Sequence, residues 1–149
     1  MKVYEIGLLR NEELLLERRY YKKILKNVDE CDIDNEREIL FRIIKENAEY
    51  KNDLKSFEIL RYHVSSLAKK NGEKSRFISY LISDKKIDLG QKKSLLKKVL
   101  DEFFNYYPPP KCYNVHTSVF NGFTEKIEKI VEDFILEPSE RLTKVFKSD

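Results

Sequence analysis

Phe57-Glu58-Ile59-Leu60-Arg61-Tyr62-His63-Val64-Ser65-Ser66-Leu67-Ala68-Lys69-Lys70 places apolar residues at 57, 60, 64 and 67. Steps of three and four match one face of an α-helix. Upstream, Leu40, Ile43, Ile44, Ala48, Tyr50 and Leu54 continue the same spacing, and neither Gly nor Pro interrupts residues 35–70. The pattern predicts one long helix of roughly 50 Å at 1.5 Å per residue. Asp34 is placed to cap its start and Asn71-Gly72 to end it. Its weak point is Glu49-Tyr50-Lys51-Asn52-Asp53, where a kink or a break would give two helices.

Working outward, Asn11 reads as the N-cap of a helix over 11–28, with Glu12 and Glu13 at the positive end of its dipole. Residues 1–9 fit a short strand or an irregular lead-in, interrupted by Gly7. Downstream, a short helix is expected from Lys74 to about Asp84, followed by a turn. Asp88 caps a helix over 89–106, which Pro108-Pro109-Pro110 cannot continue. Residues 107–117 form a Pro-containing loop, and Ser118 or Thr124 starts a helix reaching Leu136. Pro138 suits the first position of a last helix, 138–147. No period-2 strand run is read anywhere. The expected fold is therefore all-α: a single domain, 1–149, forming a bundle of five or six helices around the long one, with a C-terminal helical hairpin after the loop. Phe57, Leu60, Val64, Leu96, Val99, Phe103, Ile127, Ile130, Val131 and Phe134 are expected to be buried together.

A chain of 149 residues with 41% hydrophobic and 12% aromatic content can bury a real core. No apolar run reaches the roughly 20 residues of a membrane span, and Glu5 within the first apolar stretch argues against a signal peptide. Cys31 and Cys112 are too few for a disulfide framework, so a cytoplasmic, reduced protein is expected.

The formal net charge of +3 hides a segregated distribution. Residues 61–98 carry eleven cations against Glu73, Asp84 and Asp88, a net +8. The flanking thirds carry −2 and −3. A basic surface of this kind attracts an acidic protein surface or nucleic acid. Arg76, Lys85, Lys86, Lys92, Lys93, Lys97 and Lys98 are its candidate binding residues. At 100° per residue, Lys93 and Lys97 fall close together on the exposed side of the 89–106 helix.

Catalytic signatures are missing. Cys112-x-x-x-His116 has a local metal-ligand spacing, with Cys31 and His63 as distant companions, but no CxxC accompanies it, and no metal site is assigned. Nor does a Cys–His nucleophile find the glycines for a backbone oxyanion cradle. Glu125, Glu128 and Glu132 alternate with Lys126 and Lys129, as helix-surface pairs do. Arg61 and His63, two residues apart, fall on different sides of a helix. GxGxxG and GxxxxGK[ST] are both missing, and no cofactor is expected.

The sequence thus points to a non-enzymatic interaction protein, a binder, adaptor or inhibitor. It would act through the basic 61–98 surface or an exposed helix face, with a nucleic-acid-binding protein making mainly phosphate contacts as the alternative. Leu40, Ile43, Tyr50, Leu54, Phe57 and Val64 form a seam on which a second copy could pair as a homodimer. Small, motif-free chains with this composition are often encoded by phages, viruses or mobile elements.

Overall fold

The computed structural model describes residues 3–11, 13–19, 31–47, 54–59, 62–71, 75–83, 88–108 and 116–135. The all-α bundle is not what forms: the chain folds as a mixed α/β protein, and its described residues make a five-stranded antiparallel sheet and three helices. Strands β1 (Val3–Arg10) and β2 (Glu13–Arg19) precede helix α1 (Cys31–Asn47). Strands β3 (Leu54–Ile59), β4 (Tyr62–Asn71) and β5 (Ser75–Ser83) follow. Helix α2 (Leu89–Tyr106), a 3-10 segment (Thr117–Phe123) and helix α3 (Thr124–Ile135) complete the described chain. The strand order is β2-β1-β5-β4-β3, so the first and last strands in sequence pair at the centre.

The expected long helix is replaced by α1, β3 and β4. Residues 48–53, which contain the suspected break, lie outside the described residues. In β4, Tyr62, Val64 and Ala68 join Leu40 and Ile44 of α1 in one cluster, while Leu67 joins the cluster under α2 and α3. Apolar residues on both faces of a doubly covered sheet erase the clean period of two. The surviving spacing, 54, 57, 60, 64 and 67, then counterfeits a helix. The run Phe77-Ile78-Ser79-Tyr80-Leu81-Ile82 of β5 alternates in the same way, with Phe77 and Leu81 on one side and Ile78, Tyr80 and Ile82 on the other. Its β-branched and aromatic content suits a buried strand.

Two turn signals also change meaning. Asn71 does not end a helix: it is the last residue of β4 and pairs with Ser75 of β5, while Gly72 lies outside the described residues. Asn11 does not cap a helix either. It follows the Arg10–Glu13 pair of β1 and β2 with φ at 55°, a left-handed conformation that Asn tolerates. The Asn11 amide donates to the Arg76 carbonyl at 2.7 Å, and the Arg76 amide donates to Asn11 Oδ1 at 3.0 Å, which ties the hairpin to β5.

Helices α2 and α3 occupy one face of the sheet and α1 the other. The six expected core residues of α2 and α3, from Leu96 to Val131, are buried together, with Phe134 packed against them. Val64 and Phe57 belong instead to the α1 side, and Leu60 lies outside the described residues. The proposed pairing seam therefore does not exist as one face, because Leu40 is buried on α1 while Phe57 and Val64 lie on strands. The expected 138–147 helix also lies outside the described residues.

Candidate functional site

Helix α2 forms where the sequence placed it. The Asp88 side chain accepts from the Gln91 amide at 3.2 Å, satisfying one of the orphan donors of the first turn. Leu95, Leu96, Val99, Leu100 and Phe103 turn inward. The Ser79 hydroxyl of β5 donates to the Leu96 carbonyl at 3.0 Å, pinning the helix to the sheet. Along the flank, Lys93, Lys97 and Asp101 recur every four residues and share one side of the helix. Across from them, Leu67 and Lys69 are two residues apart on β4 and share one face of the strand.

These side chains, with Leu100, line a hollow of about 240 Å³. Leu67 and Leu100, both buried, supply its apolar part. Among the described lining residues, three lysines stand against one aspartate, a formal +2. The Lys69 ammonium lies 3.7 Å from Asp101 Oδ1 and 5.4 Å from the centre of the Phe104 ring. Both members of that ion pair are more than two-fifths exposed, so it contributes little to stability.

Of the seven sequence-selected residues, Arg76, Lys92, Lys93, Lys97 and Lys98 are described. Lys93 and Lys97 meet in this hollow, and Lys69, which had not been selected, joins them. Lys98 is exposed on α2 but does not line the hollow. Lys92 is only 1% exposed, and its ammonium donates to the Ser56 hydroxyl of β3 at 3.0 Å. Arg76 is half-buried at the β1–β2 hairpin, and Lys85 and Lys86 lie outside the described residues. The signal for Lys69 was present in the basic run, but only strand geometry aims it at α2.

A second polar constellation lies under α1. Glu5 of β1 is fully buried and accepts two hydrogen bonds from the Arg37 guanidinium, each at 3.0 Å. The Tyr80 phenol of β5 donates to the same carboxylate at 2.5 Å. Arg37 also donates to Glu17 of β2, which pairs in turn with Arg19 at 2.8 Å. Burial alone would lower the pKa of Arg37, but the Glu5 hydrogen bond and the charges of Glu5 and Glu17 raise it on balance. Burial pushes the Tyr80 phenol well above its usual value, and the Glu5 charge and hydrogen bond add to that. Gly7 makes this geometry fit, because a Cβ there would collide with the Tyr80 hydroxyl and the Leu16 carbonyl. Glu5 was the available signal, a lone acid inside an apolar run.

Among the described residues, no group of three or more His, Cys, Asp and Glu side chains is placed to hold a metal ion. Cys112 and the Cys31 side chain lie outside the described residues, His63 is half-buried on β4, and His116 caps the 3-10 segment through the Ser118 amide at 3.2 Å. Among the described residues, no helix is long and apolar enough to cross a membrane. No protein-family model matches the chain, and no curated protein is significantly similar to it.

Proposed function

We propose that the chain is a non-enzymatic interaction protein whose α2–β4 hollow takes an acidic segment of a protein partner. The convergence of Lys69, Lys93 and Lys97 from two elements beside Leu67 and Leu100 supports this reading. Ammonium groups around an apolar floor suit a peptide that offers carboxylates next to an apolar side chain. A nucleic-acid backbone would favour a longer stripe of cations, and here Asp101 interrupts it.

The test uses a fluorescent peptide of alternating Glu and Leu, titrated by anisotropy, with duplex DNA in parallel. The peptide should bind saturably at 1:1, and Lys93→Glu with Lys97→Glu should weaken it about tenfold or more, the effect of losing close charge complementarity. The thermal midpoint should barely move, because exposed lysines contribute little to folding. Peptide affinity untouched by the double reversal would refute the proposal. Preferential DNA binding with a steep salt dependence would transfer the site to nucleic acid.

A further inference from the structure

A larger hollow, about 570 Å³, lies on the opposite face of the sheet between α1 and the β1–β2 hairpin. That volume is within the range of small-molecule sites, roughly 300–1,000 Å³. Its apolar part is built from three elements. Leu9 of β1 and Leu14 of β2 are direct cross-strand partners beside a register shift, and Phe41 comes from α1. Because Leu15 is the extra residue in that shift, Leu14 stays on the α1 side while Leu15 and Leu16 both join the core under α2 and α3. The register shift leaves the Leu9–Leu14 pair on the α1 side of the sheet, where it lines the hollow.

The walls are held in place. Phe41 packs edge-on against Tyr80 with ring centres 5.2 Å apart, and the Arg37 guanidinium covers it at 4.6 Å. Arg37 is itself fixed by Glu5 and Glu17, so its charge is already spent. Arg42 and Lys45 line the same hollow one turn further along α1, and among the described residues neither is in an ion pair. Glu38, exposed one turn before Arg42, is the only other charged lining residue described. Preformed apolar walls with two cations that no described acid pairs select a ligand that is apolar along its body and anionic at one end.

We propose that this hollow binds an organic monocarboxylate with an aliphatic or aromatic body. The carboxylate is held by Arg42 and Lys45, and the body packs on Leu9, Leu14 and Phe41. The site is separate from the lysine hollow and stands independently of it.

Dodecanoate below its micellar concentration is the probe, titrated into the isotope-labelled full-length chain and followed by amide NMR, with dodecylammonium as the opposite-charge control. The expected result is saturable 1:1 binding with shifts centred on Leu9, Leu14 and Phe41, and at least about tenfold weaker binding of dodecylammonium. Arg42→Gln with Lys45→Gln, at positions that are not fully buried, should weaken dodecanoate by a similar factor while leaving the spectrum folded. Lys93→Glu with Lys97→Glu should leave dodecanoate affinity unchanged, which separates this site from the α2–β4 hollow. Non-saturable binding, shifts centred elsewhere, equal affinity for the cationic control, or indifference to the Gln pair would each overturn the assignment.

Discussion

On the α2–α3 face of the sheet, Phe103 touches five aromatic rings: Phe77, Phe104, Tyr107, Phe120 and Phe123, all with centres within 5.8 Å. On the α1 face, the equivalent central space is taken by Glu5, Tyr80 and Arg37. The first face is held by apolar burial and ring packing, which are tolerant of direction. The second is held by directional bonds to a buried carboxylate, which fail sharply when one partner is lost. The contrast extends to the two hollows. The α2–β4 hollow is rimmed by exposed lysines on a well-packed helix, whereas the α1 hollow is walled by an arginine already committed to the charge network.

The largest effect expected from this contrast is at the aromatic hub. Phe103→Ala removes a fully buried side chain that five rings surround, and should cost about 3–5 kcal/mol in urea denaturation. The loss should be independent of salt and of pH between 6 and 9, since no charge is involved. A loss below ~1 kcal/mol would mean that the rings close over the gap, and that apolar packing does not dominate this face.

What the sequence disclosed follows the same division. The α2–α3 layer was legible because each helix shows one apolar stripe, and α2 adds its Asp88 cap to the inward set from Leu96 to Phe103. Lys93 and Lys97 line the same hollow for that reason, since helical period alone places them on one side of α2. The sheet was illegible because it is buried on both faces. Val64 and Leu67 are both core residues but point to opposite layers, and a single-residue periodicity cannot distinguish that from one helical stripe. The β1–β2 hairpin adds a register shift at Leu8/Leu9, which breaks any alternation in Leu14-Leu15-Leu16. Lys69 and the Glu5–Arg37–Tyr80 cluster are products of strand pairing across distant segments, and no local pattern contains them.

A smaller and more diagnostic effect is expected at Tyr80. Tyr80→Phe deletes the hydroxyl that donates to buried Glu5 but leaves both Arg37 bonds in place, so the cost should be about 1–3 kcal/mol. The pH dependence carries the test. In the native chain the Tyr80 phenol holds its proton well above the usual value, while in the unfolded chain it releases it near pH 10. The unfolded state therefore binds fewer protons than the native one above about pH 10, and stability falls as pH rises there. That contribution is complete below pH 10 and is lost on the alkaline side. The Phe variant lacks the group, so its stability should decline less steeply between about pH 10 and 11 than that of the natural chain. Parallel alkaline slopes would show that the phenol titrates normally and that the α1 face does not depend on this bond.

The smallest effects separate two neighbouring lysines that look alike in sequence. Lys92 and Lys93 are adjacent, yet Lys92 is buried with its ammonium on Ser56 while Lys93 is exposed at the α2–β4 hollow. Lys92→Ala removes a buried stem and a hydrogen-bonded charge, and should lower the urea midpoint by the equivalent of about 1–3 kcal/mol. Lys93→Ala removes a solvated side chain and should stay within about 0.5 kcal/mol of the natural chain. Binding should show the reverse order. Lys93→Ala should weaken the acidic peptide, because one of three converging ammonium groups is gone. Lys92→Ala should leave peptide affinity unchanged under conditions where both variants are fully folded, because its charge is turned toward β3 and not toward the hollow. Equal stability costs would place Lys92 at the surface, and equal binding losses would make the hollow a general basic face with no defined floor or rim. A split in opposite directions would instead establish that one helix turn serves both the sheet it packs on and the partner it receives.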